Sequence, residues 1–157
     1  MCWLCDHPDK TPADYLDHLD EKVRRNGWAV QYVEDERRPF AYTIGLTRHG
    51  LPELMMTGVC PDCAWRSLNG AARKVLDGDS LAPGMQTTLP DGQLVEVVYV
   101  THPDAHLGWA VIMFGERVTA LQLVWADGHG RWPWSADFDD GRGTQPVLGV
   151  RAVRRIA

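Results

Sequence analysis

The distribution of cysteines constrains this chain more than any other feature. All four cysteines fall into two Cys-x-x-Cys pairs, Cys2/Cys5 at the N-terminus and Cys60/Cys63 near the middle of the chain. The short spacing lets both sulfurs of a pair point at one centre, and four thiolates form a tetrahedral ligand set for Zn²⁺. We therefore predict one Zn²⁺ site with Cys2, Cys5, Cys60 and Cys63 as its ligands.

The separation of the two pairs determines what such a site would do. Common zinc modules keep their two pairs about 15–20 residues apart, whereas here the pairs begin at positions 2 and 60. A metal held by both pairs would tether residues 1–10 to the body of a larger domain instead of supporting an independent finger. His7 lies two residues after Cys5 and is an alternative ligand that could replace one thiolate.

Composition sets the class of protein. A length of 157 residues predicts a single domain over residues 1–157, and a hydrophobic content of 45% is enough for a core that does not depend on metal alone. There is no apolar run of the roughly 18 residues that cross a bilayer and no secretory signal, so we expect a cytoplasmic protein without membrane contact. The net charge of −5 argues against a broad nucleic-acid surface, although basic clusters occur at 22–25, 37–38 and 151–155.

Capping signals predict the helices. Thr11 is a suitable N-cap for a helix that begins at Pro12, and Gly27 suits the left-handed residue that ends it. The same kinds of signal predict a second helix over 61–76 and a third over 103–114. Residues 1–10 show no periodicity and are expected to form a loop.

Runs of β-branched and aromatic residues predict the strands. These runs cover 28–33, 40–46, 54–59, 85–88, 94–100, 119–125 and 146–153. The order of helices and strands favours an α+β fold, with a mainly antiparallel sheet packed against two or three helices. In this fold the N-terminal segment would be stapled to the rest by the cysteine site.

The second cysteine pair also supports a redox interpretation. A strand that runs into Cys-Pro-Asp-Cys at a helix start matches the local layout of thioredoxin-like proteins. The helix dipole would lower the pKa of the Cys60 thiol and make it a nucleophile, with Cys63 as the resolving thiol. This alternative leaves Cys2 and Cys5 unexplained. A third interpretation, reduced thiols with packing roles only, also stays open.

The histidines and a small acidic cluster are weaker candidates for a metal site. His102 and His106 are four residues apart and would share a helix face, but Pro103 stands where the zinc-enzyme motif carries a glutamate. A pair of surface histidines is the favoured interpretation. The three aspartates within residues 137–140 could hold a divalent cation, although a solvated turn is the favoured interpretation there.

The aromatic residues in the last quarter of the chain allow two interpretations. Trp125, Trp132 and Trp134 could line a binding groove with Arg131, since aromatic residues and arginine recur at recognition hot spots. We favour the alternative that these tryptophans cover the sheet. There is no Gly-x-Ser-x-Gly elbow, phosphate loop or dinucleotide fingerprint, so the sequence does not point to a hydrolase or a nucleotide enzyme.

Three stretches of the chain resemble a known family. They are Gly-Trp-Ala-Val at 27–30, Phe-Ala-Tyr-Thr-Ile-Gly-Leu at 40–46, and Leu-Gln-Leu-Val-Trp-Ala-Asp at 121–127 with Arg-Trp-Pro-Trp at 131–134. Together they resemble DUF4262, a family catalogued as a domain of unknown function. The resemblance extends over most of the chain, and the N-terminal Met-Cys-Trp-x-Cys-Asp-His is also similar to family members. The family supplies no reaction, so no catalytic residue follows from it.

Within that family, the chain resembles a subgroup of zinc-responsive bacterial factors that bring a hibernation protein to the ribosome when zinc is scarce. The resemblance implies a regulator that acts by association with a protein or with the ribosome, and a metal site that acts as a sensor or folding switch. From the cysteines and this resemblance we predict a zinc-binding cytosolic regulatory or adaptor protein and not an enzyme. The alternative is a thiol–disulfide oxidoreductase that uses Cys60 and Cys63.

Overall fold

Six strands form one sheet through the middle of the molecule. A computed structural model describes residues 3–152 of the chain. The strands are β1 (Ala29–Val33), β2 (Phe40–Ile44), β3 (Glu53–Thr57), β4 (Gln86–Thr88), β5 (Leu94–Tyr99) and β6 (Ala120–Trp125). Their order in the sheet is β1-β2-β3-β6-β5-β4. Only the central pair β3/β6 is parallel among the described strands. The predicted α+β class and mainly antiparallel sheet are confirmed.

Four α-helices of the described residues pack around the sheet. They are α1 (Trp3–Asp6), α2 (Pro12–Asn26), α3 (Pro61–Leu76) and α4 (Gly108–Phe114). One hydrophobic cluster joins α3 to one face of the sheet, and a second joins α2 and α4 to the opposite face. In the described part of the chain, no helix has both the length and the apolar character of a membrane span.

Local chemistry sets both ends of α2, as the sequence predicts. The Asp14 amide donates to the Thr11 hydroxyl at 3.2 Å, and the Thr11 amide donates to the Asp14 carboxylate at 2.8 Å. These reciprocal bonds form a capping box that satisfies amides at the start of the helix. At the other end Gly27 takes a left-handed φ of 92° and donates its amide to the Val23 carbonyl.

A buried carboxylate fixes the connection between β2 and β3. Glu53 is fully shielded from solvent, and its two oxygens accept hydrogen bonds from the Thr43 hydroxyl, the amides of Gly45, Leu46 and Thr47, and the Thr47 hydroxyl. Burial raises the pKa of Glu53, and the bonds from the threonines partly offset that shift. These contacts explain physically why a Thr-Ile-Gly-Leu stretch spans the end of β2, because each donor comes from it or from Thr47.

Gly45 is required for a separate reason. Its φ is 124°, a region that side chains rarely adopt, and a Cβ there would lie 2.8 Å from a methyl group of Val23 and 2.9 Å from the Gly27 carbonyl oxygen. The turn after β2 therefore packs directly against the end of α2, and no larger residue fits between them.

The structure differs from the predicted elements at two places near the ends of the chain. Residues 3–6 form a short helix where a loop was expected. The predicted strand over 146–153 is wrong over its described part, because residues 146–152 form no strand. Side chains replace the backbone ladder there: the Thr57 hydroxyl and the Gln122 amide both donate to the Pro146 carbonyl.

The predicted helix over 103–114 is divided into two pieces. Pro103–Ala105 is a 3-10 turn, and α4 begins only at Gly108. Leu107 lies between them with a non-helical backbone (φ −94°, ψ 58°), and its side chain is completely buried. The break thus directs the Leu107 side chain into the core, and the helix is not continuous as a result.

Candidate functional site

The connection between β3 and α3 brings Cys60 and Cys63 together at an exposed position. Cys60 is the N-cap residue of α3, and Pro61 occupies the first helical position. The Cys63 amide donates a hydrogen bond to the Cys60 sulfur at 3.2 Å, and the two sulfurs are joined in a disulfide. The Cys-x-x-Cys turn that the sequence predicts at this helix start is therefore present, and both residues are open to solvent.

Two hydrogen bonds to the backbone of Gly58 and Val59 hold the segment before Cys60 in place. Gly58 has a φ of 65° and donates its amide to the Pro39 carbonyl at 2.8 Å. The Tyr32 hydroxyl donates to the Val59 carbonyl at 3.1 Å. The residues just before the cysteine pair are thus attached to β1 and to the residue preceding β2, so the position of the pair follows from the edge of the sheet.

A cleft of about 420 Å³ borders Cys60. Its lining comes from five separate segments of the chain: Tyr32, Pro39, Gly58, Val59, Cys60, Trp125, Asp139, Arg142, Gly143 and Thr144. The cysteine pair therefore lies beside a recess with an aromatic hydroxyl, a carboxylate and a guanidinium. Sequence reasoning did not find Tyr32 or Arg142, because nothing in their local pattern separates them from ordinary strand and loop residues.

The loop that forms the far wall of this cleft is held by Asp127. Its carboxylate accepts the amides of His129, Arg131 and Asp139 and the Arg131 guanidinium, at 2.8–2.9 Å. Burial acts to raise the pKa of Asp127, but these backbone and side-chain hydrogen bonds outweigh it and leave the pKa well below its usual range. Arg131 also binds Asp140 at 2.9 Å. Asp137 and Asp140 of the acidic cluster are accordingly paired with Arg131.

The three tryptophans of this region serve mainly to cover other groups. The Trp125 indole donates to the Thr57 carbonyl at 2.9 Å and packs over the end of β3. Trp132 and Trp134 stack on each other with ring centres 5.4 Å apart, and the Arg151 guanidinium lies 3.6 Å from the Trp134 ring centre. These contacts agree with the interpretation that the tryptophans cover the sheet and its flank.

The N-terminal segment lies beside Tyr32, near the end of β1. Trp3 is stacked between His7 and His18, with ring centres 4.4 and 4.9 Å away. Burial lowers the pKa of His18. Trp3 and Leu4 line a pocket that also includes Tyr32, the residue whose hydroxyl holds Val59 beside Cys60. Tyr32 thus separates the N-terminal segment from the second cysteine pair.

Only part of the predicted four-cysteine site lies within the described residues. Cys5 is exposed on α1, and Cys2 lies outside the described residues. Within residues 3–152, no three side chains of histidine, cysteine, aspartate or glutamate are grouped as a metal site. The His7 ring donates one hydrogen bond from Nδ1 to the Trp3 carbonyl, 2.8 Å away. The zinc site with Cys2, Cys5, Cys60 and Cys63 remains a prediction.

His102 and His106 do not share a helix face, because they flank the 3-10 turn at Pro103–Ala105. Burial lowers the pKa of His106, and its ring lies edge-on to Phe40 with centres 6.4 Å apart. The spacing that suggested a shared metal-binding face depended on a continuous helix, which Leu107 interrupts.

Comparison with known proteins identifies a family whose description names no reaction. The family model described as a domain of unknown function (DUF4262) matches residues 22–139. The matched region contains all six strands and the second cysteine pair, but not the first pair. No curated protein and no solved structure matches the chain.

Proposed function

The chain belongs to the DUF4262 family, and we propose that it is a zinc-binding regulatory or adaptor protein rather than an enzyme. The proposed ligands are Cys2, Cys5, Cys60 and Cys63. The observation that carries the proposal is the arrangement around Tyr32, which contacts the segment before Cys60 through its hydroxyl and lies in the same pocket as Trp3. Both cysteine-bearing segments therefore reach the same end of β1.

The position of β1 makes a tether between them physically reasonable. Trp3 and Leu4 pack against the face of the sheet that α2 and α4 cover, whereas Val59 packs against the face that α3 covers. The two segments approach from opposite faces, and β1 is an edge strand. A segment of a few residues can therefore pass around the edge without crossing another strand. Reduction of the Cys60–Cys63 disulfide would supply the two thiolates that zinc requires.

The N-terminal helix is suited to a metal-dependent change. α1 has four residues, and a helix of that length has little stability of its own in water. Zinc held by both cysteine pairs would fix this segment against the start of α3, and loss of zinc would release it. A partner protein or the ribosome would read that difference. The second cysteine pair, Cys60 and Cys63, supports the narrower proposal of a zinc-responsive factor in ribosome hibernation.

Metal content tests this proposal. Full-length protein purified under reducing conditions without a histidine tag should contain about one Zn²⁺ per chain by elemental mass spectrometry. Cys2→Ser and Cys60→Ser should each lose most of this metal, because a site with three thiolates binds zinc far more weakly. His129→Ala is the control and should retain it, and His7→Ala shows whether His7 is a ligand.

Two results would contradict the proposal: wild-type protein without zinc, or zinc that survives Cys2→Ser undiminished. The regulatory part of the proposal requires that co-sedimentation with ribosomes differ between zinc-loaded and zinc-free protein. Equal co-sedimentation in both states would remove the zinc-responsive role.

The disulfide favours a second candidate function, thiol–disulfide exchange. In this reaction the Cys60 thiolate would attack a substrate disulfide, forming a mixed disulfide and releasing one substrate thiolate. The Cys63 thiolate would then attack the Cys60 sulfur, releasing the second substrate thiolate and leaving the Cys60–Cys63 disulfide that the structure contains. An external dithiol would reduce the pair again. The exposed helix start and the adjoining cleft are compatible with this chemistry.

The same variants distinguish the two functions. If the protein is an oxidoreductase, Cys60→Ser should lower the rate of insulin reduction by dithiothreitol to the uncatalysed rate, because the attacking thiol is lost, whereas Cys2→Ser should keep the wild-type rate. Turbidity of the released insulin chains gives the measurement. If both variants match the uncatalysed rate, and the wild-type protein does as well, the redox candidate is excluded.

A further inference from the structure

A second cleft lies on the opposite side of the α3 start, between the end of α2, β1 and the outer side of α3. Its volume is about 730 Å³. Its lining combines three cations with aromatic and amide groups: Lys22, Arg25, Asn26, Trp28, Ala29, Val30, Trp65, Asn69, Gly70 and Arg73. We infer that this cleft binds a short single-stranded segment of nucleic acid. None of these residues is a predicted zinc ligand, so the inference is independent of the proposed function.

The charge of the cleft favours a polyanion. Lys22, Arg25 and Arg73 are exposed, and no aspartate or glutamate belongs to the described lining. Within residues 3–152, no carboxylate pairs with Lys22 or Arg73. Arg25 binds Glu21 at 2.7 Å, but both side chains are about two-thirds exposed or more, so this surface pair is weak and exchangeable.

Trp65 shows which kind of polyanion fits. It is 62% exposed, although it belongs to a helix whose aliphatic side chains are mostly packed against the sheet. Trp65, Asn69 and Arg73 are spaced by four residues, so they follow one another along the same side of α3. An exposed indole beside cations offers a base a stacking surface while the cations contact phosphates. An acidic peptide would use the cations but gain little from the indole face.

One of the three cations of the cleft, Arg73, is already held in place. The Arg73 guanidinium lies over the Trp28 ring, 4.9 Å from its centre. The Trp28 indole in turn donates to the Asn69 side chain at 2.8 Å, and Asn69 donates to the Trp65 carbonyl at 2.7 Å. This chain of contacts fixes Arg73 relative to Trp65, so binding would lose less side-chain entropy. The net charge of −5 confines the interaction to this local surface.

Fluorescence anisotropy with a labelled oligouridylate of about twelve nucleotides tests the inference. The full-length protein should bind the probe at low salt. Trp65→Ala should weaken binding at least roughly 5-fold, because a stacked base is lost. The double variant Lys22→Gln/Arg25→Gln should reduce the slope of log K against log salt by about 1.4, which corresponds to two phosphate contacts on a single strand.

Matched variants separate stacking from general charge. Trp65→Phe should retain most of the affinity, because a phenyl ring still stacks. Lys74→Gln removes a cation from the same helix that pairs with Asp79 outside the cleft, and it should bind as the wild type does. The inference is overturned if wild-type protein does not bind, or if Trp65→Ala and the double variant bind normally. It is equally overturned if an oligoglutamate of the same length displaces the probe as well as unlabelled RNA does, which would assign an acidic peptide.

Discussion

Glu53→Gln is expected to lower the free energy of unfolding by about 2–5 kcal/mol. Both carboxylate oxygens accept hydrogen bonds: one from the Thr43 hydroxyl and the Leu46 amide, the other from the Gly45 amide and from the amide and hydroxyl of Thr47. A glutamine has one acceptor oxygen, and its NH₂ group would face donors whichever way it is oriented. At least two buried groups therefore lose their partner, at about 1–3 kcal/mol each.

Urea denaturation followed by tryptophan fluorescence measures this loss. Glu116→Gln is the matched control, because Glu116 is exposed and its replacement should change stability by no more than about 0.5 kcal/mol. A Glu53→Gln variant as stable as the control would show that the turn after β2 does not depend on the carboxylate. The result also bears on the cysteine pair, because β3, which begins at Glu53, leads directly to Cys60.

The parts of the fold that follow from adjacent residues could be predicted from the sequence. The ends of α2 are set by Thr11, Asp14 and Gly27, all of which act on their immediate neighbours. In the same way, Pro61 at the first position predicts where α3 starts. Short-range signals of this kind are complete within a few residues, so a single sequence is enough to identify them.

Contacts between distant segments could not be predicted in the same way. β3 and β6 pair in parallel although 67 positions separate partners such as Glu53 and Ala120, and no local pattern specifies this pairing.

 The buried role of Glu53 was also missed, because a charged residue at the start of an apolar run was excluded from the strand predicted over 54–59. Its donors come from the end of β2 and from the turn that follows, and the pairing of β2 with β3 places them beside the carboxylate.

Trp65 illustrates a limit of helical periodicity. Trp65 lies three residues before Leu68, a spacing that by itself groups the two on one helix face, but the structure leaves Trp65 exposed, whereas Ala64, Leu68 and Ala72 are buried. Neighbouring helical residues point about 100° apart, so Ala64 and Trp65 cannot both be central to one face. Hydrophobicity alone did not distinguish them, because the sequence does not show which side of the helix meets the sheet.

The candidate site was predicted in its chemistry but not in its surroundings. The Cys-x-x-Cys spacing and Pro61 predicted two sulfurs together at a helix start, and the structure contains this arrangement. The cleft beside Cys60 depends on Tyr32, Trp125 and Arg142, which come from separate segments. Only the order of the strands brings these segments together, so no motif in the sequence could identify them as neighbours.

Gly58→Ala is expected to destabilise the protein by about 2–4 kcal/mol and to displace the cysteine pair. Gly58 has a φ of 65°, and a Cβ there would lie 2.3 Å from the Thr144 carbonyl oxygen. The segment that contains Thr144 cannot easily move away, because the side chain of the next residue, Gln145, forms hydrogen bonds of 2.8 and 2.9 Å with the backbone of Trp125. The strain should therefore move the residues that lead to Cys60.

Gly50→Ala separates backbone strain from steric contact. Gly50 has a similar φ of 73°, but a Cβ there meets nothing within 4 Å, so its replacement should cost only about 1 kcal/mol. Urea denaturation gives both stabilities, and the rate at which reduced Cys60 and Cys63 react with a thiol reagent reports their placement. Gly58→Ala should change that rate while Gly50→Ala preserves it. Equal losses of stability and equal thiol rates would show that the contact with Thr144 does not position the cysteine pair, because both variants share the same backbone strain and differ only in that contact.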